Sequence, residues 1–162
     1  MQRTQPKSAP DLDYPSLTRD IKRWGLELGF QQVGISDIRL DKDETLLLQW
    51  LQAGYHGEMD YIQRHGTRRS RPAELIPGTV RVISARMDYW PAAARAVDEV
   101  LRDPALAYLS RYALGRDYHK VMRKRLQQLA KKIESVTGAC GHRVFSDSAP
   151  VLEKALAQQA GL

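Results

Sequence analysis

The chain has 162 residues, 43% of them hydrophobic, which is enough for one domain with its own core and excludes disorder throughout. Its single cysteine, Cys140, excludes an internal disulfide framework and any cluster held by several thiolates of this chain. A net charge of +6, with a pI near 9.6, favours polyanionic partners, nucleic acid first.

Residues 1–15 hold Pro6, Pro10 and Pro15 among polar residues and read as a flexible leader, with order expected from Ser16. Leu17, Ile21, Trp24 and Leu28 then repeat at intervals of 4, 3 and 4, predicting an amphipathic helix stopped by Gly29. Residues 30–36 predict a short strand. A helix over about 44–53 follows, with Leu47, Trp50 and Leu51 inward and Gly54 as its stop. Residues 55–65 read as a turn and another short helix. The β-branched run 79–89 predicts a central strand, buried on both faces and ended by Pro91. Residues 91–110 show no clear element. Tyr118, Met122, Leu126, Leu129, Ile133 and Val136 mark the plainest helix, from Asp117 to about Val136. Gly138 and Gly141 punctuate its end, 143–146 reads as a strand, and Pro150 stands where a helix over 151–160 would start. The alternation predicts an α/β or α+β fold, a layered sheet with flanking helices.

The polar side of the long helix carries Lys120, Arg123, Lys124, Arg125, Lys131 and Lys132, with Asp117 the only acid nearby. Such a face is either solvated or a phosphate-binding stripe. Solvation needs charge of either sign, whereas one sign alone costs self-repulsion, so the imbalance favours phosphate. Arg64, Arg68, Arg69 and Arg71 form a second basic cluster too polar for core, either an RNA-gripping loop or a solvated one. In SRYALGRDYHK (110–120), Tyr112 and Tyr118 surround Gly115, Asp117 and His119. Gly115 breaks the chain, Asp117 caps the helix and Tyr118 begins its apolar stripe, which leaves His119 unexplained on the polar side. A helix start beside a glycine turn can also present N–H groups to an anionic or amide-bearing ligand. Asp147 falls at a predicted strand end just before a helix, where a cap and a catalytic acid are both open readings. His56, His65, His119 and His142 have no paired spacing, so no protein-built metal site is expected.

Three segments, WGLELGFQQVGIS (24–36), RYALGRDYHK (111–120) and DSAPVLEKALAQQAGL (147–162), closely resemble epoxyqueuosine reductases, with YHGEMDY (55–61) and TVRVISARMDY (79–89) in order between them. The resemblance runs from about residue 17 to the last residue. It implies a cobalamin-dependent oxidoreductase that converts epoxyqueuosine to queuosine in the tRNA anticodon loop, fed by an external electron donor through two 4Fe–4S clusters. It further implies a corrinoid-binding core over 16–162 like that of reductive dehalogenases. Asp147 becomes the candidate proton donor to the departing epoxide oxygen, and Tyr112, Gly115, Asp117, Tyr118 and His119 are expected near the corrinoid. Arg68, Arg69, Lys120, Arg123, Lys124, Lys131 and Lys132 are expected to meet RNA. Family members continue past the Gly161-Leu162 stretch with a cysteine-rich, ferredoxin-like segment, so the chain is expected to be an N-terminal fragment that ligates no cluster and does not turn over alone. A cytoplasmic monomer without membrane association is expected. Two other readings compete: a non-catalytic RNA-binding module, and a corrinoid reductase acting on a small molecule.

Overall fold

A computed structural model of the chain describes residues 12–90 and 93–162. The first helix, α1 (Tyr14–Glu27), begins earlier than expected: Asp13 accepts a hydrogen bond from the Ser16 N–H at 3.2 Å, and Pro15 occupies the first turn, where no amide donor is needed. A proline read as a mark of the leader is thus part of a helix start; residues 1–11 of that leader lie outside the described residues. Gly29, at φ +84°, turns the chain out of α1, and the Phe30 N–H returns to the Gly25 carbonyl at 3.1 Å. Phe30 therefore belongs to the helix-closing turn, and strand β1 is shorter than expected, Gln32–Ser36.

β1 pairs antiparallel with β2 (Val82–Arg86), placing Val33 opposite Ala85 and Ile35 opposite Ile83. Among the described residues these two strands make up the sheet, so β2 is not the central strand that the 79–89 run predicted. Its apolar residues on alternating sides report helices on both faces of the sheet, not strands along both edges. Val33 and Gly34 point to opposite faces, and each meets a helix. A Cβ on Gly25 of α1 would collide with the Val33 side chain, and a Cβ on Gly34 would strike the Ala160 carbonyl at the end of α7 (Glu153–Gln159). The sheet is thus layered between helices.

The core is formed by Ile21, Phe30, Val33 and Leu129, with Trp24, Ile83, Ala85, Met122 and Leu126 packed around them. Leu129 comes from α6 (Tyr118–Thr137), whose 4- and 3-residue apolar spacing lays one stripe against α1. Between β1 and β2 the chain forms α2 (Asp41–Gln52), α3 (Asp60–Gln63), a 3-10 turn at Gly66–Arg69 and α4 (Pro72–Leu75). The acids Asp41, Asp43 and Glu44 start α2 three residues ahead of its expected limit. After β2 come α5 (Val97–Arg102), within a stretch that showed no element in sequence, and a 3-10 turn at Arg111–Ala113. The strand expected over 143–146 does not form, and α7 starts at Glu153, with Pro150 in the turn before it. No described helix is long and apolar enough to cross a membrane.

Candidate active site and basic groove

Gly138, at φ +80°, ends α6, and the chain then runs back along it. Four contacts mark the return. His142 lies 3.0 Å from Glu134 through Nδ1 and 3.0 Å from Gln127 through Nε2; the Ser146 hydroxyl reaches the Met122 sulfur at 3.7 Å; and Asp147 meets Tyr118 at the first turn of the helix. Residues 29 apart in sequence are joined by this retreat. Val144 lies beside α6 residues rather than in a sheet, which is why a strand pattern misled.

The Tyr118 hydroxyl donates to Asp147 Oδ2, and His119 Nε2 lies 3.7 Å from the same oxygen. Asp147 is a non-glycine residue in the left-handed region, at φ +53°, a conformation that Asp tolerates better than most. Its side chain is about half exposed, 52%, and faces a cleft of about 610 Å³. Leu46 and Leu47 of α2 line one side of that cleft, and Ala149, Val151, Leu152 and Glu153 the other. Glu153 was not singled out by sequence. It is exposed as a residue, but its carboxyl is sheltered enough that desolvation, and then the charge of Asp147, push its pKa up. No spacing rule links it to Asp147, so only the turn at 148–152 could have revealed it.

His119, unexplained in sequence, stacks on Tyr118 with ring centroids 4.0 Å apart, and Tyr112 meets Tyr118 edge-on at 6.1 Å. Asp117 caps α6 by accepting from the His119 N–H at 3.0 Å, and the same carboxylate oxygen lies 3.1 Å from His119 Nδ1. The bond to the His119 side chain is the main reason that its carboxyl sits below the usual range. The Tyr118 hydroxyl is pushed up to about 12, first by the Asp147 hydrogen bond and then by desolvation and nearby negative charge. Gly115 stands at φ +86° with open space where a Cβ would be, so its backbone conformation, not a crowded neighbour, calls for glycine. Tyr112, Asp117, Tyr118, His119 and Asp147 are thus one cluster.

Lys120, Arg123, Lys124 and Lys131 line a groove of about 560 Å³ along α6 together with Gln127, Gln128 and Val144, and no acid is among them. Two cations of the predicted stripe are engaged elsewhere. Arg125 is half-buried and donates to the Gly29 carbonyl at 2.9 Å and to the Met87 sulfur at 3.0 Å, pinning α6 to the α1–β1 turn. Lys132 pairs with Glu27 at 2.9 Å and lies 5.9 Å from the Trp24 ring centroid. Arg68 and Arg69 are outside the groove; Arg68 is exposed, whereas Arg69 donates inward to the Ile62 and Tyr61 carbonyls at 2.9 and 3.1 Å. Among the described residues no three His, Cys, Asp or Glu side chains are grouped to hold a metal ion.

The family described as "Epoxyqueuosine reductase QueG, DUF1730" matches residues 69–148. A relative from Pseudomonas aeruginosa named epoxyqueuosine reductase is 64% identical over 150 residues, covering 93% of this chain and 41% of the relative. One of the same name from Escherichia coli K12 is 56% identical over 151 residues, covering 93% of this chain and 40% of the relative. The chain therefore spans about two fifths of the curated relatives it matches. The solved structure of epoxyqueuosine reductase from Streptococcus thermophilus aligns with a TM-score of 0.63 over 88% of this chain and 38% of that one, at 20% identity, a likeness of fold alone.

Proposed function

We propose that this chain, a homologue of the epoxyqueuosine reductases over the stretch it spans, supplies the acid and part of the RNA-binding face for reduction of epoxyqueuosine to queuosine in a tRNA anticodon loop. One observation carries the reading: the Asp147 carboxylate is held by Tyr118 on one side and borders a cleft of mixed character on the other, with Leu46, Leu47, Val151 and Leu152 beside Asp43, Glu153, Lys154 and Gln158. Deoxygenating an epoxide, with the oxygen leaving as water, takes two electrons and two protons. Asp147 gives the first proton to the oxygen as its C–O bond opens, a role worth about 10²–10⁴-fold in rate, and solvent water supplies the second as the oxygen leaves. Both of its described contacts fall on Oδ2, which leaves Oδ1 for the substrate. The Tyr118 hydroxyl already donates to the carboxylate, so the negative charge left behind has a partner in place.

The surfaces around Asp147 fit a corrinoid by their chemistry. Tyr112, Tyr118 and His119 offer aromatic surface, Leu46, Leu47 and Val151 offer aliphatic surface, and Asp43, Lys154 and Gln158 offer polar partners for the amide-bearing rim of a large flat ring. Tyr112, Tyr118 and His119 would hold it, and a reduced corrinoid would supply the electrons. On this reading residues 16–162 form the corrinoid-binding unit that the family shares with reductive dehalogenases. The chain's lone cysteine cannot hold a 4Fe–4S cluster, so the relay from an external donor lies in the part of the relatives that the chain does not span. We place the reaction in the cytoplasm, where tRNA is modified.

The deciding variant is Asp147→Asn, which keeps the shape, the left-handed backbone and an acceptor for Tyr118 while removing the transferable proton. Single-turnover reduction of epoxyqueuosine-containing tRNA with a chemically reduced corrinoid, in the full-length protein, is expected to slow by about 10²–10⁴-fold, with binding of both partners retained. Turnover within a few-fold of the parent would reduce Asp147 to a structural residue. The basic groove alone also suits a non-catalytic RNA-binding module. Cobalamin binding separates the two, because such a module has no use for it.

A further inference from the structure

Trp90 is 68% exposed, and the Arg111 guanidinium carbon sits 3.8 Å from its ring centroid. An indole so exposed is unusual for a residue that normally buries most of its surface. The arrangement is held from behind: Arg111 begins the 3-10 turn at Arg111–Ala113 and donates to the Arg95 carbonyl at 3.0 Å, so the guanidinium is fixed against one face of the indole. Tyr112, the next residue, is 56% exposed and meets Tyr118 edge-on, and Tyr118 binds Asp147. Arg111 thus joins Trp90 to its chain neighbour Tyr112, and Tyr112 leads through Tyr118 to the acid.

We infer that Trp90, backed by Arg111, is a stacking shelf for an unpaired RNA base adjacent to the nucleotide presented to Asp147. The inference rests on the RNA reading above and specifies how it is carried out. Single-stranded loops are recognised by stacking splayed bases on aromatic rings and guanidinium planes, whereas a duplex hides its base faces. The guanidinium makes the shelf rigid and positive, which suits a base whose flanking phosphates are negative. The α6 groove holds backbone of any sequence; the shelf adds the demand that a base be free to stack.

Fluorescence titration tests this with two RNAs of equal length and charge, an anticodon stem-loop oligonucleotide and a blunt duplex. The chain has three tryptophans, so the difference between the parent and Trp90→Phe isolates the signal of Trp90. The stem-loop is expected to quench Trp90 emission and the duplex to leave it unchanged. Trp90→Leu is expected to weaken the stem-loop by about 5- to 150-fold, the range of one lost base–aromatic stack, with duplex affinity unaltered and Trp90→Phe retaining most of the affinity. Stem-loop binding without quenching, equal in parent and Trp90→Leu, overturns the shelf and leaves the groove standing. An equal loss for duplex and stem-loop overturns it too, since the side chain would then act on the fold or on general charge. Failure of the parent to bind either RNA removes the RNA reading and the shelf together.

Discussion

Two basic stretches read alike in sequence and behave oppositely in the structure. Arg64, Arg68, Arg69 and Arg71 sit in a short irregular segment, and Lys120, Arg123, Lys124 and Lys131 sit along one long helix. In the first, Arg69 reaches carbonyls of α3, while Arg71 joins Glu44 at 2.7 Å and Glu74 at 3.1 Å. Ser70 donates to that same Glu44 at 2.5 Å, so a buried serine and an arginine together bind the segment to α2, one wall of the cleft. Both acids are held below the usual carboxylate range, Glu44 chiefly by Arg71 and Glu74 first by Thr67 and then by Arg71. In the second stretch the groove has no acid at all. The backbone explains the difference. The last four carbonyls of any helix lack internal partners, and the one-turn α3 is little else, so Arg69 is recruited as its cap. Inside a 20-residue helix the carbonyls are already taken, and the cations stay available.

Reversing charge on both sides tests the contrast. Lys120, Lys124 and Lys131 replaced together by Glu are expected to weaken tRNA binding by about 10- to 100-fold at low salt and to flatten its salt dependence, with urea stability close to the parent, because each lost phosphate contact removes released counterions. Unchanged affinity would make α6 a solvated face. Arg69→Ala is expected to do the reverse, costing about 0.5–1.5 kcal/mol of stability in urea unfolding while leaving tRNA affinity within about twofold, because it removes a part-buried bond to Ile62 and an exposed one to Tyr61. Lys132→Gln falls between: its pair with Glu27 is exposed, so a double-mutant cycle is expected to return only about 0.2–1 kcal/mol, with less effect on RNA than Lys124→Gln.

The smallest effect is spectroscopic. Of seven tyrosines, Tyr118 is expected to ionise near 12 in an absorbance titration, and Tyr118→Phe to remove that late step. Its ordinary value is 10.0, so the raised value favours the folded state fully below pH 10 and loses that contribution as pH climbs toward 12. A Tyr118 that ionises at its ordinary value of 10.0 would mean that the bond to Asp147 does not persist in solution.

What the sequence revealed was the part written in local period and capping. The stripe Met122, Leu126, Leu129 and Ile133 gave α6 and its core face, and Asp117 before Tyr118 gave its start. The cluster of Tyr112, Asp117, Tyr118 and His119 was legible because those residues are neighbours along the chain. Its union with Asp147 depends on a return path without periodicity, held by isolated contacts of His142 and Ser146 to α6, and nothing in 138–147 spells that out. The sheet was misjudged because apolar residues on both sides of a strand say that both faces are covered, without saying by what. Arg125 looked like its basic neighbours; only the fold brings Gly29 and Met87 within its reach.

The retreat of residues 138–147 along α6 also works as a ruler. With 1.5 Å of rise per helical residue, the distance the chain must travel back to reach Tyr118 is set by the length of α6. Slack is tolerable only before the first anchor, in the Gly138–Gly141 turn, where an inserted residue bulges into solvent. One residue more or fewer between His142 and Asp147 would carry the carboxylate past the hydroxyl that meets it. Length variation among homologues should therefore collect at the turn and stop at His142, so that the spacing from this histidine to the acid is the quantity held constant while the loop beside it drifts.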